Sequence, residues 1–339
     1  MTTEPAVDLT RIVRLADFEP LARAALDPDA YDYIAGGAWD EITLADNEAA
    51  WPRHRFRPRV LVDVGTVDPS TTMLGSPTSM PVAIAPMAIH GLAHPDAELA
   101  TARAAAATGV PFMLSTMASR SIEDVAAAAP GGTRWFQLYV QRDPARSRSL
   151  VERAAAAGYE AIVFTVDLPV LGYRDRERRS GFEMTSLGNF VESLPTHRPI
   201  TTTSDLPAGD GPLDDASTPR TLTWADIDAI RTWSPLPIVL KGILTAEDAR
   251  LAVEHGVDAI VVSNHGARQL DRVQAAVDAL PAIAAEVGGQ VEIWVDGGVR
   301  RGLDIAIAMA LGARGVLLGR PVLWALAVGG QAGVEHALR

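Results

Sequence analysis

From residue 81 onward, apolar runs of strand length alternate eight times with alanine-rich stretches of helical spacing. The runs are Pro81–Ala85, Val110–Ser115, Arg134–Val140, Glu160–Asp167, Leu236–Lys241, Asp258–Asn264, Val291–Asp296 and Arg314–Gly319. The helical stretches fall near 95–108, 120–129, 144–157, 223–233, 245–255, 272–287, 301–311 and 321–328. A run that is apolar at nearly every position is buried on both faces, the condition of a parallel strand covered by helices. Eight such units with no obvious edge strand predict an α/β fold, a single (β/α)8 TIM barrel. The alternative is an open doubly wound sheet, but no glycine fingerprint opens its first helix.

A chain of 339 residues would suggest about two domains on length alone, yet barrels of this size run as one. The expectation is one domain, 1–339, with an N-terminal helical segment over 1–60. Within that segment Leu15–Leu26 has helical spacing, and Asp29–Ala35 starts a second helix that Gly36-Gly37 ends. Arg53–Val60, dense in Arg and Pro, reads as an extended connection. More than fifty residues separate Asp167 from the helix near Thr223, and they are rich in Arg, Thr, Pro, Asp and Gly. Connections of that length are lids or disordered, so 180–219 is read as a mobile lid over the site.

In such barrels the site lies where the strands end, and these strand ends are polar. Side chains two apart on a strand share a face. Gln137 pairs in this way with Tyr139, Thr165 with Asp167 and Ser263 with His265, while the fifth run ends in Lys241. Packing alone would favour Val, Ile or Leu at those positions. In the sixth unit His265 and Arg268 follow the apolar run Ala259–Val262, which brings a proton acceptor within three residues of a fixed cation. A base beside an anion anchor is what is needed to hold a small acid and take its proton.

Composition narrows the chemistry. Of 30 basic residues 29 are Arg, and the single Lys is Lys241. A lone retained amine marks a place where the larger, planar guanidinium does not serve. There is no cysteine, which excludes disulfides, thiolate zinc sites, iron–sulfur clusters and cysteine nucleophiles; no metal site is expected. A net charge of −12 argues against nucleic acid or an anionic membrane as the main partner. No secretory signal is apparent in Met1–Thr10, and no apolar run reaches the ~18 residues of a membrane span. A soluble cytoplasmic protein is the expectation. The last two units resemble an anion site: Asp296-Gly297-Gly298-Val299-Arg300-Arg301-Gly302 opens one helix and Gly319-Arg320 another. Glycines admit an anion to the backbone, helix N-termini favour it, and arginine clamps it.

These segments carry a resemblance. Ser-Asn-His-Gly-Ala-Arg-Gln-Leu-Asp at 263–271, Asp-Gly-Gly-Val-Arg-Arg-Gly at 296–302, Gly-Arg-Pro at 319–321 and Leu-Lys-Gly at 240–242 are similar to the FMN-dependent α-hydroxy-acid oxidase and dehydrogenase family. Tyr-Asp-Tyr at 31–33, Arg-Pro-Arg at 57–59, Phe-Gln-Leu-Tyr at 136–139 and Thr-Val-Asp at 165–167 extend the match over nearly the whole chain, in order. The resemblance implies oxidation of an L-2-hydroxy acid, lactate-, mandelate- or glycolate-like, to the 2-oxo acid, with FMN as cofactor and O2 as the favoured final acceptor. It implies that His265 is the base, paired with Asp167, and that Arg174 and Arg268 bind the substrate carboxylate. Tyr33 and Tyr139 would contact the substrate, and Lys241 would face the flavin ring. Ser115, Gln137, Thr165 and Ser263, with the backbone of Met87 and Ala88, would bind the ring. Asp296, Gly298, Arg300, Gly319 and Arg320 would hold the ribityl chain and phosphate. A homotetramer is implied as well.

The sequence departs from the family pattern in places. Met117 stands where many glycolate-oxidising members have Trp, Ile34 where a second aromatic is common, and Trp39 where an acidic residue is common. The first of these predicts a pocket for an acid larger than glycolate. Relatives continue through further helices where this chain ends at Arg339. An FMN-dependent isomerase of a related barrel is one alternative, but it would need extra groups for a diphosphate and no carboxylate arginines beside His265. A dehydrogenase with another acceptor is a second. A non-catalytic barrel would be expected to lack at least one of His265, Asp167, Arg268 and Lys241.

Overall fold

The computed structural model describes residues 7–182, 187–193 and 219–339. Most of the span read as a lid, 180–219, lies outside the described residues. Its described part includes a 3-10 helix, Gly188–Ser193, anchored by Asn189. The Asn189 amide donates to the carbonyls of Ser115 and Thr116, and its oxygen accepts from Ile122 N.

Ten strands are present among the described residues. A short antiparallel hairpin, β1 (Thr71–Met73) and β2 (Ser76–Thr78), precedes the barrel. The barrel strands are β3 (Val82–Ile84), β4 (Phe112–Ser115), β5 (Arg134–Leu138), β6 (Ile162–Thr165), β7 (Ile238–Ile243), β8 (Ala259–Val262), β9 (Glu292–Val295) and β10 (Gly315–Leu318). All neighbours are parallel, and β10 pairs with β3, which closes the barrel and excludes the open sheet. Helices α1 (Phe18–Ala25), α2 (Pro28–Ala35) and α3 (Ile42–Ala49) form the N-terminal segment. The outer ring comprises α4 (Ala97–Thr108), α5 (Ile122–Ala128), α6 (Pro144–Ala156), α8 (Ala225–Arg231), α9 (Ala246–Glu254), α10 (Ala276–Val287), α11 (Gly302–Ala310) and α12 (Arg320–Leu338), with α7 (Asp175–Ser180) inserted after β6.

Each predicted unit is thus present, with shorter strands in all but the fifth. Two differences have clear causes. Strand β7 runs two residues past Lys241, because Gly242 at φ +117° makes a local irregularity and pairing resumes at Ile243. The eighth helix, predicted to stop at 328, continues to Leu338 across a break at Gly329 and Gly330. The glycines bend the path rather than end it, and Val334 and Leu338 beyond them are buried.

Parity along the strands sets the interior. Met113, Trp135, Val163, Val239, Val261, Trp294 and Leu317 form an apolar cluster inside the barrel. Trp135 and Trp294 stack there at 4.8 Å, with planes 5° apart. The hairpin helps to close the floor: Met73 is fully buried in this cluster, and a Cβ on Gly315 would lie 2.9 Å from its Cε. Two residues further along their strands, and so on the same face, come Ser115, Gln137, Thr165, Lys241, Ser263 and Asp296, all buried. The interior is therefore dry at one end and polar at the other. A second, larger apolar cluster fills the space between strands and helices.

Helix α3, which the sequence pattern did not reveal, is fastened to the segment after β8. The Asp271 carboxylate accepts from the backbone N–H groups of Ile42 and Thr43 at the start of α3. Asn47 and Asn264 exchange reciprocal amide hydrogen bonds of 2.9 and 2.7 Å. The glycines after β9 close against the same helix. A Cβ on Gly298 would come within 1.9 Å of the Asn47 carbonyl oxygen, and Gly298 has φ +77°. Both the close approach and the left-handed backbone require glycine there.

Candidate active site

Just past the ends of β5, β6 and β8, three side chains meet. His265 Nδ1 lies 2.7 Å from Asp167 Oδ1, and His265 Nε2 lies 3.2 Å from Tyr139 Oη. An ionised carboxylate only accepts, so Nδ1 carries the proton and Nε2 presents its lone pair. The tyrosine hydroxyl donates to that lone pair. Tyr139, Asp167 and His265 lie beyond the strands proper. Their pair-mates Gln137, Thr165 and Ser263 are buried in the polar layer below. The expected same-face pairs are therefore split between two levels.

The backbone aims His265. It has φ +59°, Gly266 +60° and Ala267 +61°, three successive left-handed residues after the strand. Non-glycine residues held this way cost about 1 kcal/mol or more each and persist only where the surroundings fix them. The fixing bonds are present: Ser263 Oγ accepts from His265 N at 3.0 Å, and Asn264 Oδ1 accepts from Ala267 N at 3.1 Å.

Burial pushes the imidazole below the ordinary histidine value, Asp167 offsets this only in part, and Lys241 and Arg174 add to the depression. Burial would raise the Asp167 carboxyl, but His265 and then Lys241 hold it below the usual range. The pair therefore stands as a neutral base on a carboxylate near neutral pH. Burial and the Asp167 charge raise the Tyr139 phenol well above the usual range, so it stays a donor. Lys241 is buried, which alone would discharge it, yet Asp296 and Asp167 raise its pKa above the ordinary lysine value. Its Nζ lies 3.1 Å from Asp296 Oδ2 and 2.9 Å from Ser263 Oγ.

A cavity of about 320 Å³ opens beside this group, within the size range of ligand sites. It is lined by Tyr33, Met87, Ala88, Ser115, Tyr139, Arg174, Lys241, His265, Arg268, Asp296, Gly298, Arg300, Gly319 and Arg320, all expected from the sequence. Gln137, Thr165 and Ser263 stand behind this lining: Gln137 accepts from Ser115 Oγ at 3.2 Å and donates to Thr165 Oγ1 at 3.0 Å. Asp167 stands behind His265. Met117, Ile34, Leu168, Leu171 and Phe182 supply an apolar wall. Trp39 is not on it; this residue is half-exposed and stacks on Tyr173 at 4.8 Å.

One side of the cavity is cationic. Arg268 lies over the Tyr33 ring, 4.9 Å from its centroid, and donates to the carbonyls of Tyr33 and Gly36. Arg320 donates to the carbonyls of Ile34, Gly36 and Gly266. Arg300 bonds Glu48 and its neighbour's carbonyl. Burial, together with Arg268 and Arg300, lowers the Arg320 pKa to about 9. A guanidinium buried against carbonyl oxygens and two neighbouring cations is a place where an added anion is favoured. Two carboxylate oxygens are also left over: Asp296 Oδ1 and Asp167 Oδ2 are buried without a hydrogen-bond partner. The site thus has clustered cations, a neutral base and, on Asp296, an unpartnered carboxylate oxygen.

Sequence reading missed two contributors. Gln269 donates to the carbonyls of Asp167 and Val170 and accepts from Gly172 N, bracing the His265 turn against the segment after β6. Glu177 links Arg174 to Arg268. Its only sequence signal was its place three residues after Arg174 on a short helix.

The chain is similar to known proteins over nearly its whole length. The family model for FMN-dependent dehydrogenase matches residues 22–339. An L-lactate oxidase from a Nostoc species is 48% identical over 336 residues, covering 96% of this chain and 90% of that protein. A 2-hydroxyacid oxidase of Rattus norvegicus is 45% identical over 330 residues, covering 96% and 90%. A mandelate oxidase crystal structure matches with a TM-score of 0.86 at 44% identity, covering 96% of this chain and 90% of that one.

Proposed function

The chain belongs to the FMN-dependent dehydrogenase family, and on that premise we propose that it oxidises a small L-2-hydroxy acid to the 2-oxo acid. The observation that carries the reading is the relay Asp167–His265–Tyr139 beside two arginines on one cavity. FMN, when bound, supplies the two-electron acceptor that O2 regenerates with release of H2O2. The residues present fit that cofactor. The unpartnered Asp296 Oδ1 suits a ribityl hydroxyl, and the guanidinium groups of Arg300 and Arg320, together on the cavity lining, suit a phosphate. Gly298 and Gly319 both line the cavity on that side. The Lys241 ammonium suits the polar edge of a ring that gains negative charge. Ser115, Gln137, Thr165, Ser263 and the Met87-Ala88 backbone complete that wall.

The protein's own groups do the rest. Arg174 and Arg268 hold the carboxylate, and Tyr33 and Tyr139 orient the carboxylate and hydroxyl. His265 Nε2 accepts a proton from the substrate, and Asp167 stabilises the imidazolium that forms. The arginines beside His265 favour this reading over an isomerase acting on a diphosphate.

Purified protein should carry a yellow flavin that bleaches anaerobically with 2-hydroxy acids; holoprotein that no 2-hydroxy acid bleaches would refute the proposal. H2O2 should appear in step with substrate once air is admitted. The wall formed by Met117, Ile34, Leu168 and Phe182 favours a lactate- or mandelate-like side chain. Lactate or mandelate should outpace glycolate by about tenfold, the scale expected for an added apolar group in a matching pocket. Faster bleaching by glycolate would overturn that assignment.

A homotetramer in a cytoplasmic setting is part of the same proposal. The apolar residues Val60, Leu61, Val62, Val64 and Val67 are all exposed on one extended arm, a surface suited to burial against a second copy. Light scattering should give four times the 36.0 kDa chain mass; a monomer would count against it.

A further inference from the structure

We infer that Glu177 is a built-in stand-in for the substrate carboxylate, which an incoming acid must displace from the two arginines. The inference rests on the reading of Arg174 and Arg268 as the carboxylate anchors. Glu177 lies on α7 and lines the cavity with both of them. Arg174 Nη1 donates to both of its oxygens, at 3.1 and 3.2 Å. Arg268 Nη2 donates to Oε1 at 3.0 Å. All three side chains are largely buried, with 9% of Arg174, 18% of Glu177 and 15% of Arg268 exposed.

The donor inventory explains why this matters. A guanidinium has five N–H groups. Arg268 commits Nη1 to the carbonyls of Tyr33 and Gly36, and Arg174 commits Nε to the Arg268 carbonyl and Nη2 to Gln269. Those bonds fix the planes of both groups against the backbone. Arg174 Nη1 and Arg268 Nη2 are the donors that hold Glu177, and through them one carboxylate bridges both guanidinium groups. A substrate carboxylate using both arginines therefore competes with a carboxylate already there at high effective concentration. The arrangement keeps two like charges together without a ligand and selects for anions able to replace Glu177. Neutral analogues gain nothing from its removal.

The test compares binding of pyruvate and pyruvamide to the holoprotein, read from perturbation of the flavin spectrum without turnover. Glu177→Gln should tighten pyruvate about tenfold, the scale of one charge-assisted hydrogen bond, and leave pyruvamide unchanged. Glu177→Asp keeps the charge but is too short to bridge both arginines, and it should tighten pyruvate by a smaller factor. It decides the question by the same sign if the glutamine variant fails to fold. Unchanged or weaker pyruvate binding, or equal change for both ligands, would make Glu177 a fixed brace and overturn the inference. Because the readout is binding, a chain that oxidised no 2-hydroxy acid would still answer the question about Glu177, so the two proposals fail separately.

Discussion

Replacing His265 with Gln should lower kcat/KM for a 2-hydroxy acid by about 10²–10⁴, the usual worth of a positioned general base, while the flavin stays bound. His265 Nε2 is the basic nitrogen of the Asp167–His265–Tyr139 relay, and His265 lines the cavity. Rapid-mixing measurement of anaerobic flavin reduction separates loss of the base from loss of the cofactor. Reduction at the wild-type rate would remove His265 from the mechanism. The pH profile gives the same assignment independently. Burial holds the imidazole below the ordinary histidine value, so kcat/KM should be flat through neutrality. It should fall only as pH drops through a pKa below about 6.5, where Nε2 takes up a proton. Asp167 acts in the opposite direction, raising that pKa by its charge. Asp167→Asn should therefore move the acidic limb to still lower pH, with a lower plateau because the imidazolium loses its partner. A limb displaced upward would contradict the charge argument.

Replacing Lys241 with Met should cost about 3–5 kcal/mol of stability, as expected when one member of a buried ion pair is removed. The ammonium sits 3.1 Å from Asp296 Oδ2 and also holds down the Asp167 carboxyl. Without it the buried Asp296 carboxylate loses its ion-pair partner and Asp167 loses a nearby cation. Urea unfolding of the apoprotein should report the loss, and the variant should retain FMN poorly. Adding Asp296→Asn should restore part of the stability, since neutralising both partners costs less than orphaning one. Apoprotein stability within about 1 kcal/mol of wild type would mean that the pair is solvated and unimportant.

The fold was legible because a parallel barrel imposes two strong signals, apolar runs and a repeat of strand then helix, and this chain carries both eight times. The lining of the site was legible because the barrel puts its chemistry at one end. A polar residue such as Ser115 or Lys241 in an otherwise apolar run has no packing reason to be there. What escaped notice depended on distant partners. The Thr71–Thr78 hairpin is too short to show a period, and its place in the floor is set by Met73 meeting strands far along the chain. Helix α3 is capped by Asp271, more than two hundred residues away. Glu177 lies in an Asp-Arg-Glu-Arg-Arg run with no pattern to mark it, and only the fold sets it against Arg268. Gly329-Gly330 read as a helix end because glycine normally is one, but burial of Val334 and Leu338 holds the continuation in place.

The clasp between α3 and the turn after β8 also has a consequence for how the protein is made. Asn47 and Asn264 are separated by 217 positions, and Gly298 closes on the same helix. A nascent chain emerges N-terminus first, so α3 waits through most of synthesis for the strand that will receive it. Contacts of such long range form late, after their loop-closure entropy has been met by the rest of the barrel. Cofactor capture therefore belongs to the end of biogenesis. A ribosome-bound chain halted before Asn264 has left the tunnel has the α3 half of the clasp but neither its partner nor the cationic wall, and it should accumulate as a flavin-free intermediate.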